Sequence, residues 1–169
     1  MQLYRSIQHF PKEIKILIGT FLVVLSIGFF SALQFVSVTT EMTSTGIQEN
    51  YLGNEEDEEA EEMKFKKDEK RMLNILHSHL MSLSLIFFVL ALLVATTPVS
   101  GFLRKLLLFE PLLSVLVTFG GIYLLWSGAL WMKYVVLVSG ILMTFAFILS
   151  VLVIFYWLFK NGSTAIEKD

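Results

Sequence analysis

YVVLVSGILMTFAFILSVLVIFYWLF, residues 134–159, holds no charged side chain from end to end. A strand crossing a membrane alternates apolar and polar residues over about ten positions, whereas this run is continuous. Lipid offers no partner for a free backbone N–H or C=O, so an apolar run of this kind must be a helix. About 20 residues cross a hydrocarbon core of about 30 Å, and residues 134–159 are long enough to do so.

Three further runs follow the same reading. The first, about residues 16–38, is free of charge. The second, about 72–96, ends at Thr97-Pro98, because proline has no donor and restricts the residue before it. The third is expected from Pro111 to about residue 130, since proline suits the first helical turn. Between the second and third, residues 102–109 carry Arg104 and Lys105 among leucines, which suits a short interfacial segment. Glu110 then stands at a helix start, where the dipole favours a carboxylate, and capping is its expected role. The fold class is an all-α integral membrane protein. Its four transmembrane helices form an antiparallel bundle with one acidic extramembrane loop at 39–71 and a short tail at 160–169, in a single domain.

Composition agrees, with 55% hydrophobic and 17% charged residues among 169; soluble domains carry nearer a quarter charged. No cysteine is present, which excludes disulfides, thiolate metal sites and C-x-x-C-H haem attachment. Nucleotide loops, a nucleophile elbow and a His-Glu-x-x-His motif are absent. No midplane charge or inverted repeat suggests a transporter, and nothing directs the chain to nucleic acid. The first run is too long for a secretory h-region, so it is expected to remain as an anchor.

Orientation rests on Lys and Arg near the helix ends. Arg5, Lys12, Lys15, Arg104, Lys105, Lys160 and Lys168 fall on one side, against Lys64, Lys66, Lys67, Lys70, Arg71 and Lys133 on the other. The margin is one residue. Because Arg5, Lys12 and Lys15 precede the first span, both termini are expected in the cytoplasm of a bacterial inner membrane, with the acidic loop in the periplasm. Trp126, Trp131 and Tyr134 mark one interface and Tyr156 and Trp157 the other, as aromatic belts do. Gly28 with Ala32, Gly140 with Thr144, and Gly120-Gly121 are small residues that let helices approach closely.

The loop changes character along its length. Residues 46–55 combine turn formers with Tyr51 and suggest an ordered cap that brings Glu49, Tyr51 and Glu55 to the mouth of the bundle. The carboxylate block at 55–62 repels itself and is expected to stay solvated, with weak capture of a hard cation such as Ca²⁺ as the alternative. His77-Ser78-His79 opens the second span. A spacing of two turns a helix by about 200°, so the two rings project apart and cannot easily ligate one metal. His77 and Met81, four apart, share a face. Imidazole with a thioether suits haem or copper. His77, His79 and Met81 are therefore the candidate cofactor ligands, with haem b or copper as the cofactor. Met42 or Met132 is the candidate second ligand; with no other histidine in a span, a dimer or partner subunit is the remaining source of an imidazole.

The pattern Gly46-x-x-Glu49-Asn50-Tyr51-x-Gly53-Asn54-Glu55, with Met63-Lys64-Phe65 and then His77-x-His79 at a helix start, resembles a group of small four-span bacterial inner-membrane proteins. The resemblance covers about residues 39–95. Leu76 and the long acidic insertion depart from the group's commoner pattern. It implies an architecture and a candidate site, with no reaction attached. The functional expectation is a non-catalytic subunit or accessory of a membrane assembly, a respiratory one included, in contact with lipid and with a membrane-protein partner or further copies of itself. A haem-binding or copper-binding protein using His77 or His79 is the alternative, and a lipid-associated or quinone-associated enzyme component is the third reading.

Overall fold

Four long apolar runs become four long helices. The computed structural model describes residues 6–55 and 62–160. After a short 3-10 turn at Ile7–His9 come α1 (Lys12–Thr40), α2 (Ser44–Leu52), α3 (Glu69–Ala95), α4 (Gly101–Trp126) and α5 (Met132–Phe159). All but α2 are long and apolar enough to span a bilayer. Among the described residues the only β-type pairing is an isolated bridge between Gly53 and Phe65. The chain is an all-α, multi-pass membrane protein.

The third span differs from its expected form. No separate segment stands at residues 102–109 and no helix starts at Pro111; α4 runs unbroken from Gly101 through Pro111. In water an internal proline breaks or kinks a helix, by clash and by withholding a hydrogen bond from the carbonyl four residues back. Within a membrane, neighbouring helices and hydroxyl side chains help satisfy the freed group. Arg104 reaches back along the turn and donates from Nη2 to the carbonyl of Ala95, 3.1 Å away, at the C-terminus of α3. A cation is favoured at that end of a helix. Arg104 thus ties two spans together.

The centre of the bundle is α3, α4 and α5. Thr118 donates to Ser139 at 2.8 Å inside the seam between α4 and α5. One turn further on, a Cβ on Gly121 would stand 2.9 Å from Val136 Cγ2. Glycine is needed there because the helices touch. Phe87, Phe119, Phe147, Leu90, Ile154 and Leu158 fill the space between the three spans. The first span is held less closely. Along α1 only Ile18, Gly19, Leu22 and Thr40 are buried. It meets α5 through Phe29, stacked on Phe147 with ring centroids 3.7 Å apart, and it also packs against α2.

A sharp reversal joins α1 to α2, made by Glu41 and Met42 in consecutive left-handed conformations, with φ of 51° and 53°. Thr43 then accepts a hydrogen bond from the Gly46 amide at 2.9 Å, capping α2. A Cβ on Gly46 would lie 2.0 Å from the Thr40 carbonyl oxygen, so no other residue fits. Asp68 caps α3 in the same way, accepting from the Arg71 amide.

Candidate functional site

Both histidines lie on the outer surface of α3. His77 is exposed, and no hydrogen bond among the described residues holds its ring. His79 is exposed as well, but its Nδ1 lies 2.8 Å from the Ile75 carbonyl oxygen and its ring stacks on Phe119 of α4 at 4.8 Å. An imidazole whose Nδ1–H is held by a carbonyl presents Nε2 as its free ligating atom. Met81 is 66% exposed and follows His77 around the helix. Asn74, Ser78 and Ser82 share that outward face.

Among the described residues no second ligand comes to these rings. Met132 packs against the core at the start of α5. The pairings Thr118 with Ser139 and Gly121 with Val136 place it level with Leu125, about 9 Å nearer the loop end than Phe119 and His79. Met42 is exposed in the reversal after α1. No group of three His, Asp or Glu side chains converges on a metal-sized point among the described residues.

The loop supplies the more ordered polar site. Residues expected to form a turn are the helix α2, which packs on α1, α4 and α5 and so closes the end of the bundle. Its attachments are polar. Lys133 donates to Gln48 at 2.9 Å, and Trp126 Nε1 donates to the Lys67 carbonyl at 2.8 Å. The Lys67 ammonium donates to the carbonyl of Asn50 and lies 5.3 Å above the Tyr51 ring. Lys66 covers Trp126 at 5.2 Å. Asn54 clasps the returning strand, accepting from the Lys64 amide at 2.6 Å and donating to the Glu62 carbonyl at 3.0 Å. Glu49 stands 3.7 Å from Lys64. Gly53, at φ 84°, meets that strand so closely that a Cβ would touch the Lys64 carbonyl oxygen at 2.8 Å.

Burial pushes the Tyr51 hydroxyl up to about 12, with the hydrogen bond to Asn50 opposing. Burial also holds Lys67 below its ordinary value, and the charges of Arg71 and Lys64 add to the effect. Glu55 is exposed at the edge of this lid. Most of the carboxylate block, residues 56–61, lies outside the described residues, as do Arg5 and Lys168. Basic residues that the sequence offered only for orientation, Lys67 and Lys133, are the ones that fasten the lid. Their lid partners, Asn50 for Lys67 and Gln48 for Lys133, are distant in sequence and so give no local signal.

Within the membrane the structure moves Glu110. It sits in the interior of α4, so the capping role expected from a helix start does not apply. Its Oε1 accepts a hydrogen bond from the Ser114 hydroxyl. Its Oε2 is buried and unpartnered among the described residues, and so is the hydroxyl of Ser150 on α5.

The comparisons come to one match. A family model described as a transmembrane helical domain, Aq_1264_TM, matches residues 41–165. Neither the curated proteins nor the solved structures gave a match.

Proposed function

We propose that the chain, which belongs to this transmembrane helical domain family, is a non-catalytic subunit of a larger membrane assembly. The carrying observation is the outward face of α3, where Asn74, His77, Ser78 and Ser82 are all exposed. Polar side chains turned out of a span are the groups that hydrogen-bond a second helix. The lid closes the neighbouring end of the bundle through its own internal bonds, and the α3 face is an open polar surface beside it; α1 carries a second exposed polar set at Ser31, Gln34 and Ser37. We place the protein in a bacterial inner membrane with both termini in the cytoplasm, on the strength of Arg5, Lys12 and Lys15 before α1. Reporter fusions within the lid and at the C-terminus test that orientation.

A photo-crosslinking residue at position 78, compared with one at the apolar, exposed position 141, tests the assembly reading in native membranes. Stoichiometric attachment of one protein from position 78, absent from position 141, is the expected result. Equal or no attachment from both sites overturns it.

The haem or copper reading keeps one supporting observation, the free Nε2 of His79 described above. A second copy or a partner would have to supply the opposing ligand. Protein purified with its partners and showing a Soret or copper absorption that disappears in His79→Ala would establish it, whereas a colourless assembly would end it.

A further inference from the structure

Two buried side-chain oxygens without a partner among the described residues lie near one level of the bundle, beside a helix carbonyl that a proline deprives of its usual donor. Thr118 lies opposite Ser139 and Gly121 opposite Val136, so the antiparallel register of α4 and α5 puts Glu110 opposite Phe147 and Leu107 opposite Ser150. Glu110 and Ser150 are thus within about one turn of each other along the seam. Glu110 Oε2 and Ser150 Oγ are both buried without a partner among the described residues. The third group is the carbonyl of Leu107, because Pro111, four residues on, has no N–H to give it. That carbonyl points along the helix toward the level of Glu110.

Depth makes the cluster unusual. On α5 the interfacial residues Tyr134 and Tyr156 bracket the span, and the point midway between them is Phe145. Phe147, level with Glu110, stands about 3 Å from that midpoint at the rise of an α-helix. An ionised carboxylate at such depth is costly, and an ionisable residue there points to function. Among the described residues no other titratable side chain on α1, α3 or α5 lies within two turns of this level. On α4 itself Arg104 and Lys105 are six and five residues away, toward the interface. The cluster therefore contains one acid, two hydroxyls and a carbonyl, and no cation.

We propose that Glu110, Ser114, Ser150 and the Leu107 carbonyl form a proton-binding site in the middle of the membrane. The proton adds to Oε2, which becomes an O–H donor toward Ser150 and the Leu107 carbonyl, while Oε1 keeps the Ser114 hydroxyl. On release, the carboxylate retains the Ser114 bond and the proton leaves as hydrated proton. Oxygen donors alone would also suit a sodium ion, and the test separates the two.

Dicyclohexylcarbodiimide dissolves in hydrocarbon and reacts with a carboxyl group only in its protonated form, giving a stable N-acylurea. The intact protein in phosphatidylcholine vesicles is treated with it over a range of pH and digested for mass spectrometry. The expected adduct is on Glu110, declines as the pH rises, is unaffected by sodium chloride at constant ionic strength, and is lost in Glu110→Gln. Glutamine preserves an acceptor for Ser114, and its folding is checked by melting. Ser150→Ala removes one acceptor for the added proton, so the midpoint of the labelling curve moves to lower pH by a fraction of a unit. No adduct on Glu110 at any pH overturns the proposal. Protection by sodium at fixed pH overturns it in favour of a cation site, and an unmoved midpoint in Ser150→Ala overturns the shared-proton geometry.

Discussion

The first span and the three that follow the lid are all long and apolar enough to cross a bilayer. They differ in packing. The least apolar of the four, α4, buries the largest share of its apolar window, 44%, while α1 and α3 each bury 22%. Apolarity places a helix in lipid, and small or interlocking side chains decide whether it packs there. The family match begins at residue 41, one residue beyond the end of α1. The closely fitted lid and bundle are the unit the family shares, and α1 is attached to its outside.

The two regions meet at Gly46, whose substitution should have the largest effect. Gly46→Ala drives a methyl group into the Thr40 backbone and should cost about 3 kcal/mol, the upper part of the range for overpacking. Hydrogen exchange would show α2 losing protection while α4 and α5 keep theirs. Loss of protection throughout would mean that the lid and bundle form one cooperative unit.

Alkali should come next. Tyr51 is raised to about 12 in the folded lid from about 10 in an unfolded chain. Its contribution is therefore complete below about 10 and lost as pH rises through about 12. Lys67, held low, acts with the opposite sign, its penalty easing as pH climbs toward its ordinary value. Lid closure followed by Trp126 fluorescence should fail in the Tyr51 window, and Tyr51→Phe should remove that alkaline transition.

A matched pair of glycines tests the packing contrast directly. Gly121→Leu should destabilise the bundle by about 2 kcal/mol through the clash with Val136. Gly28→Leu on α1 meets nothing within 4 Å and should change stability by less than about 0.5 kcal/mol, as exposed positions do. Comparable melting shifts for the two would erase the distinction between α1 and the family unit. Trp126→Phe removes the hydrogen bond to Lys67 and should cost about 1 kcal/mol. The smallest effect belongs to His77→Ala, expected to leave the melting temperature of the isolated protein unchanged while weakening its association with partners.

The four spans were legible because lipid imposes one requirement on every residue of a run, and residues 134–159 state it without interruption. The beginning of α4 was not. Pro111 reads as a helix start by rules learned in water, and the same rules gave Glu110 a capping role that its interior position removes. The lid was half legible. Gly46, Gly53 and Asn54 announced order, but Ser44–Leu52 is only nine residues long and opens on Ser-Thr-Gly, so its helix formers Gln48, Glu49 and Leu52 make a weak signal. It is a helix because Thr43 caps it and because Trp126, Lys133 and Lys67 hold it. Ring separation at His77 and His79 followed from helix geometry, while the stacking of His79 on Phe119 depends on a helix forty residues away.

The bonds that fasten the lid also carry information about time. Gln48 is bonded to a lysine 85 residues later, and Lys67 to a tryptophan 59 residues later. While the chain is being synthesised, the loop emerges long before either anchor exists. It cannot close until α4 is in the bilayer and the chain has turned back into α5. A closed lid is thus a record that insertion has finished, and an open one exposes an unfastened loop to whatever proteases patrol that face of the membrane.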